Sequence, residues 1–216
     1  MAAAFDAIAN AAAATGSSFT MTITVPATNP VLLVGITLLS LTATVSSVSL
    51  DLGGTATEIK TARGVASYVS AWAIPAPPAG AGTVSVTLSA SVPYQAVCAT
   101  YTSALQTTPC PTADAVNGTT SAASTLTITP LRMSSRDVSF GIAANTVAST
   151  PTGITTNDRY KDATTTVMIQ AGDSTGTTAL VANWSDTLGD KAGVGLRIVS
   201  DDEPFGQILL GSWRRR

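Results

Sequence analysis

The feature that most restricts the fold of this chain is a hydrophobic period of two. Phe19, Met21, Ile23 and Val25 alternate with Thr20, Thr22 and Thr24 until Pro26 stops the run. Val84, Val86 and Leu88 alternate in the same way with Ser85, Thr87 and Ser89. Successive strand side chains point to opposite faces, so this pattern makes a sheet with one apolar and one hydroxyl-bearing face. Residues 31–41 (VLLVGITLLSL) are apolar without alternation, as expected of a strand covered on both faces. Val45, Val48, Leu50 and Leu52 lead to a Gly53-Gly54 turn, from which residues 57–60 are expected to return. A strand over 65–74 should end at the proline- and glycine-rich segment 75–82, and another should follow Pro93. Shorter apolar runs recur from Leu126 to Val199, while the polar stretches 103–123 and 148–162 read as surface loops. Ten or eleven strands with turn signals every 8 to 14 residues are expected, the spacing of an antiparallel sandwich.

The expected fold is all-β: an antiparallel β-sandwich, jelly-roll-like or immunoglobulin-like, over residues 19–200. An N-terminal arm at 1–18 and a C-terminal arm at 201–216 extend from it. Residues 2–14 carry the alanines of a short helix without its apolar face, and suit an extended arm equally well. The N-terminal stretch has no Lys or Arg ahead of its apolar residues and contains Asp6, which is unlike a secretory signal. The apolar run at 31–41 falls short of the ~20 residues of a membrane-spanning helix. A cytoplasmic, soluble origin is the expectation. Cys98 lies in an apolar run and reads as a buried thiol; a bond to Cys110 stays open.

Chemistry is limited by what is missing. The 216 residues include no His, which removes His-dependent nucleophile systems and the usual neutral-pH base. Eleven basic residues against 13 acidic ones give no excess to hold a nucleic-acid backbone. Only two of the acids are Glu, and most Asp sit in turn-like settings, so a glycosidase carboxylate pair is not expected. Asp173 and the segment 186–190 offer oxygens for calcium, but without EF-hand spacing they read as surface turns. No catalytic residue, metal or other cofactor is expected. Trp72 and Trp184 fit core packing, whereas Tyr94 and Tyr160, in loop contexts, are freer to meet a glycan. The C-terminus (DDEPFGQILLGSWRRR) joins an acidic cluster to an apolar stretch and three arginines. It is expected to dock on a neighbouring subunit, with Trp213 as anchor and Arg214, Arg215 and Arg216 pairing with carboxylates. Phe205 and Phe5 complete this candidate interface set.

Four segments in order carry a resemblance: VSSVSLDLGG at 45–54, WAIPAPPAGAGTVSVTLS at 72–89, YTSALQTTPCPTA at 101–113 and VSFGIAAN at 138–145. Together they resemble small β-sandwich virion proteins of tailed bacteriophages, decoration or cement proteins among them, over roughly residues 19–199. The resemblance implies a non-enzymatic structural role with no catalytic motif to carry over. It implies a capsid decoration protein on the outside of the head shell, made in the host bacterial cytoplasm. Its partners would be the major capsid protein and copies of itself, as a trimer or other symmetric oligomer, with no nucleic acid and no membrane. The alternative is a tail- or fibre-associated module binding host-surface glycans. The composition fits crowding on a shell: 11% of residues are charged, while 35 Thr and 22 Ser supply uncharged polar surface.

Overall fold

Residues 18–25 illustrate how the alternation is used: Phe19, Met21, Ile23 and Val25 are buried, and the intervening threonines are exposed. The computed structural model describes residues 1–121, 123–146, 150–154, 157–162, 168–185 and 187–202. Among them the regular elements are fourteen β-strands and no helix. They are β1 (Ala4–Val25), β2 (Val31–Leu39), β3 (Val45–Leu50), β4 (Thr57–Arg63), β5 (Ser67–Pro75), β6 (Gly80–Thr102) and β7 (Val116–Thr120). There follow β8 (Thr125–Thr127), β9 (Val138–Asn145), β10 (Pro151–Ile154), β11 (Asn157–Asp162), β12 (Met168–Thr175), β13 (Val181–Trp184) and β14 (Lys191–Ile198). All pair antiparallel, and the chain is an antiparallel β-sandwich.

The sheets have the orders β1-β6-β2-β5-β4, β11-β12-β9-β14-β7 and β10-β13-β8, with β3 also on β6. β1 and β6 form one long ribbon, from Ala4 opposite Thr102 to Val25 opposite Gly80. Its register shifts between Ala11 and Ala14 and again between Gly16 and Ser18. Bulges bend a ribbon, and β6 changes neighbour at this point: β3 pairs with its first part, β2 with its second. The first sheet thereby folds over its own core, in which Phe19, Val48 and Val86 pack with Leu32, Val34 and Ile74. Pro93 sits at the bend opposite Thr15, which lets a residue without an N–H lie inside a continuous strand. A second core joins Leu33, Val69 and Tyr101 to Phe140, Ile169 and Leu196 of the five-stranded sheet. A third, around Ile128, Leu180 and Trp184, seats the three-stranded sheet on that sheet's other side. β2 lies between the first two cores and is buried on both faces, as its continuous apolar run requires.

Several expectations are corrected. The segment 1–18, expected as an arm, is mostly the first part of β1, paired with β6. The free edge of β6 supplies ladder hydrogen bonds that outweigh the helical propensity of the alanines. The stretch 103–123 contains β7 and buries Ser103, Ala104, Cys110, Asp114 and Ala115. The stretch 148–162 contains β10 and β11. Their polar residues pair with strands distant in sequence, which local composition does not register. Gly53 and Gly54 do turn the chain, at φ of 102° and 104°, but β4 pairs with β5 instead of returning along β3.

Candidate assembly surface

Phe5, an expected interface residue, is an internal contact. Its ring meets Tyr101 edge-on at 5.7 Å, and the Arg159 guanidinium lies 3.9 Å from its centroid. Arg159 donates through Nε and Nη2 to Asp173 at 2.7 and 3.0 Å, the fork geometry in which arginine binds carboxylate best. The Tyr101 hydroxyl and Asn157 Nδ2 also donate to Asp173, at 3.1 and 2.9 Å. Burial, then the neighbouring Asp173 charge, raises the Tyr101 phenol well above its ordinary value. The cluster bolts β1 and β6 to β11 and β12. Asp173 is therefore a buried strand residue and not the surface turn expected from the sequence.

The tyrosines expected in loops are likewise engaged. Tyr94 is buried in β6 and stacks on Phe19 at 4.2 Å. Tyr160 is half-buried in β11, and its hydroxyl accepts from Asn10 Nδ2 at 3.2 Å. The proposed glycan platform thus loses its two freest aromatics. Trp184 is buried as expected, and Trp72 packs partly buried against the folded-over core.

Where the described chain ends, Asp201 accepts from the Met1 amine at 2.9 Å and from Asn29 Nδ2 at 2.7 Å. Asp202 meets the same amine at 2.9 Å and Arg136 at 3.0 Å. Phe205, Trp213, Arg214, Arg215 and Arg216 lie outside the described residues. The Ser200 hydroxyl, followed by the Met1 amine, holds the Asp202 carboxyl down to about 2. A depressed carboxylate stabilises the fold above its unfolded value, near 3.8, and that contribution disappears as pH falls through about 2. The Asp202 contacts are expected to persist above pH ~4 and to release between pH ~4 and ~2. An NMR titration of the Asp202 carboxyl carbon reads this directly; an ordinary midpoint would contradict it.

Cys98 and Cys110 are unbonded and buried in different cores. Burial pushes both thiols up to about 12. At pH 8 the folded protein is expected to leave a thiol-specific chromogenic reagent unreacted, and denaturation to expose two equivalents. Rapid reaction of the folded chain would contradict this.

Two concave regions stand out. A cleft of about 490 Å³ is lined by Ala7, Ile8 and Ala9, by Thr22, Ile23 and Thr24, and by Ala81, Gly82 and Thr83, none of them titratable. A second, of about 410 Å³, includes Arg63, Asp190 and Lys191 beside Thr119, Thr120 and Ser121. Lys191 Nζ donates to the Leu188 carbonyl at 2.8 Å, and Arg63 Nη1 to the Leu41 carbonyl at 2.6 Å. These cations hold loop carbonyls. Among the described residues no three His, Cys, Asp or Glu side chains gather as a metal-binding group.

The surface with the most regular chemistry is the outer face of β1, β6 and β3. Ser18, Thr87 and Ser47 form one cross-strand row, and Thr20, Ser85 and Ser49 the next. All six are exposed. No charge falls in these rows, because the chain has none between Asp6 and Asp51 and none between Arg63 and Asp114; Asp51, which accepts from the Thr83 amide at 2.7 Å, marks the margin of the face. Sequence reasoning found the alternation but missed the edge position of β1; the uncharged stretch was the available signal. No family model matches the chain, and neither a curated protein nor a solved structure matches it.

Proposed function

We propose that this chain is a non-enzymatic structural protein of a bacteriophage virion, a capsid decoration or cement protein on the outside of the head shell. In this reading it is made in the host bacterial cytoplasm. It binds the major capsid protein and further copies of itself and stabilises contacts between capsomers. The ordered segments at 45–54, 72–89, 101–113 and 138–145 support the reading by resemblance. The observation that carries it is the uncharged hydroxyl face of β1, β6 and β3. Short hydroxyl side chains lose less rotamer entropy and less hydration energy than charged ones when another surface covers them and replaces their hydrogen bonds. A lattice of many copies also avoids long-range repulsion when such faces meet. Two arginines are spent on internal carboxylates, Arg159 on Asp173 and Arg197 on Asp114 and Asp137.

Antibody labelling of purified particles, imaged by electron microscopy, tests the reading. Dense signal over the head is the expected result. Signal confined to the tail overturns the cement role and favours the tail-associated alternative. Particles without signal overturn both.

A further inference from the structure

We infer that the free edge of β1 is a self-association site, at which residues 19–25 pair antiparallel with the same residues of a second copy. Among the described residues β1 pairs with β6 alone and forms the end of its sheet. An unpaired edge presents a row of backbone donors and acceptors to any extended chain, and proteins protect such edges with charge, proline, bulges or short length. The other edges here are protected. β4 carries Glu58, Lys60 and Arg63, and β11 carries charges at four of its six positions. The edge strands β3, β7, β8 and β10 are at most six residues long. β1 runs for 22 residues, with no proline and with Asp6 as its one charge. Its register shifts lie before Ser18, so residues 18–25 keep one unbroken ladder to β6. That edge is uncharged and keeps its register unbroken up to Pro26.

The composition of the same segment identifies its occupant. Directly opposed residues in an antiparallel pair point to the same face. With Thr22 opposite Thr22 of a second copy, Thr20 falls opposite Thr24, Met21 opposite Ile23 and Phe19 opposite Val25. Over residues 19–25 every hydroxyl then meets a hydroxyl and every apolar side chain an apolar one. No like charges meet at the two-fold, where a residue faces its own copy. The pairing extends the hydroxyl face across both subunits, and it covers the cleft at Ile8, Ile23 and Gly82, which opens beside this edge. A two-fold contact of this kind is isologous and closes on itself. It supplies a self-contact for the proposed lattice, yet it rests on the edge alone and is measured without a capsid.

Thr22 is exposed, so charging it should leave the monomer folded while placing like charges face to face at the axis. Sedimentation equilibrium of the full chain is expected to give twice 21.7 kDa. Thr22→Lys and Thr22→Glu are each expected to raise the dimer dissociation constant about 100-fold with unchanged circular dichroism. Mixing the two variants should restore the dimer, since opposite charges then meet. Hydrogen exchange at the amides of residues 19–25 that face away from β6 should be slow in the dimer and fast in either single variant. A chain that remains at 21.7 kDa overturns the inference, as does an assembly indifferent to both substitutions. A dimer lost on truncation after Asp202, with both Thr22 variants still dimeric, would assign the contact to residues 203–216 and also overturn it.

Discussion

Replacing Arg197 with methionine is expected to lower folding stability by about 3–5 kcal/mol, the cost of breaking a buried ion pair from one side. Arg197 lies in β14 and donates from Nε to Asp137 at 2.8 Å and from Nη1 to Asp114 at 2.9 Å. Its side chain is 9% exposed, and those of the two acids 3% and 0%. Taking two carboxylates out of water costs several kcal/mol each, and the guanidinium between them offsets much of that. The network also organises backbone: Asp137 accepts from the Ser134 and Ser200 amides, and Asp114 lies 3.5 Å from Arg132. Methionine keeps most of the volume but leaves the carboxylates facing each other without the cation. Urea unfolding should show a large fall in midpoint with little change in slope. A loss below about 1 kcal/mol would mean that water already reaches the pair, as at a surface bridge.

Gly195→Ala is expected to cost about 3 kcal/mol or more, at the upper end of overpacking penalties. A β-carbon there would lie 1.7 Å from the Ile128 carbonyl oxygen, and backbone, unlike a flexible side chain, cannot step aside. The neighbouring Gly193 is tight as well, 3.0 Å from Leu126 Cδ2. Together they let the β8 segment approach the outer face of β14, and the three-stranded sheet packs there through Ile128 and Leu180. The extra methyl should lift that sheet away, so amide exchange in β8 and β13 should accelerate more than in β2. Gly53→Ala is the control. Nothing lies within 4 Å of its added carbon, and the φ of 102° makes its penalty conformational, about 1 kcal/mol. Equal losses at the two positions would contradict the packing explanation.

The strands that were legible in advance share one property: their burial follows from their own residues. Phe19 to Val25 and Val84 to Leu88 alternate because one face is covered, and Val31 to Leu39 does not alternate because both are. Where a strand exists because a distant partner is present, the local sequence said little. Residues 4–14 become strand through pairing with residues 94–102, and β10 and β11 through β13 and β12. The candidate interface divided in the same way. Phe5 was expected at an interface between subunits, and its internal contacts with Tyr101 and Arg159 cross 96 and 154 positions of sequence (101 − 5 and 159 − 5). Tyr94 and Tyr160 read as loop residues because no nearby residue announced Phe19 or Asn10 as their partners.

The sequence by itself determined the class of the molecule. The period of two, the turn residues and the missing histidines require an all-β chain without His chemistry, because side-chain direction and functional groups are local properties. Tertiary structure alone decided the rest: the bend that folds the first sheet over its own core, the division into three cores, and the burial of Arg197 and Lys191 among partners. It also decided that β1 lies at an edge. An edge is defined by which strand is not beside it, and that is a property of the whole arrangement of strands rather than of any one of them.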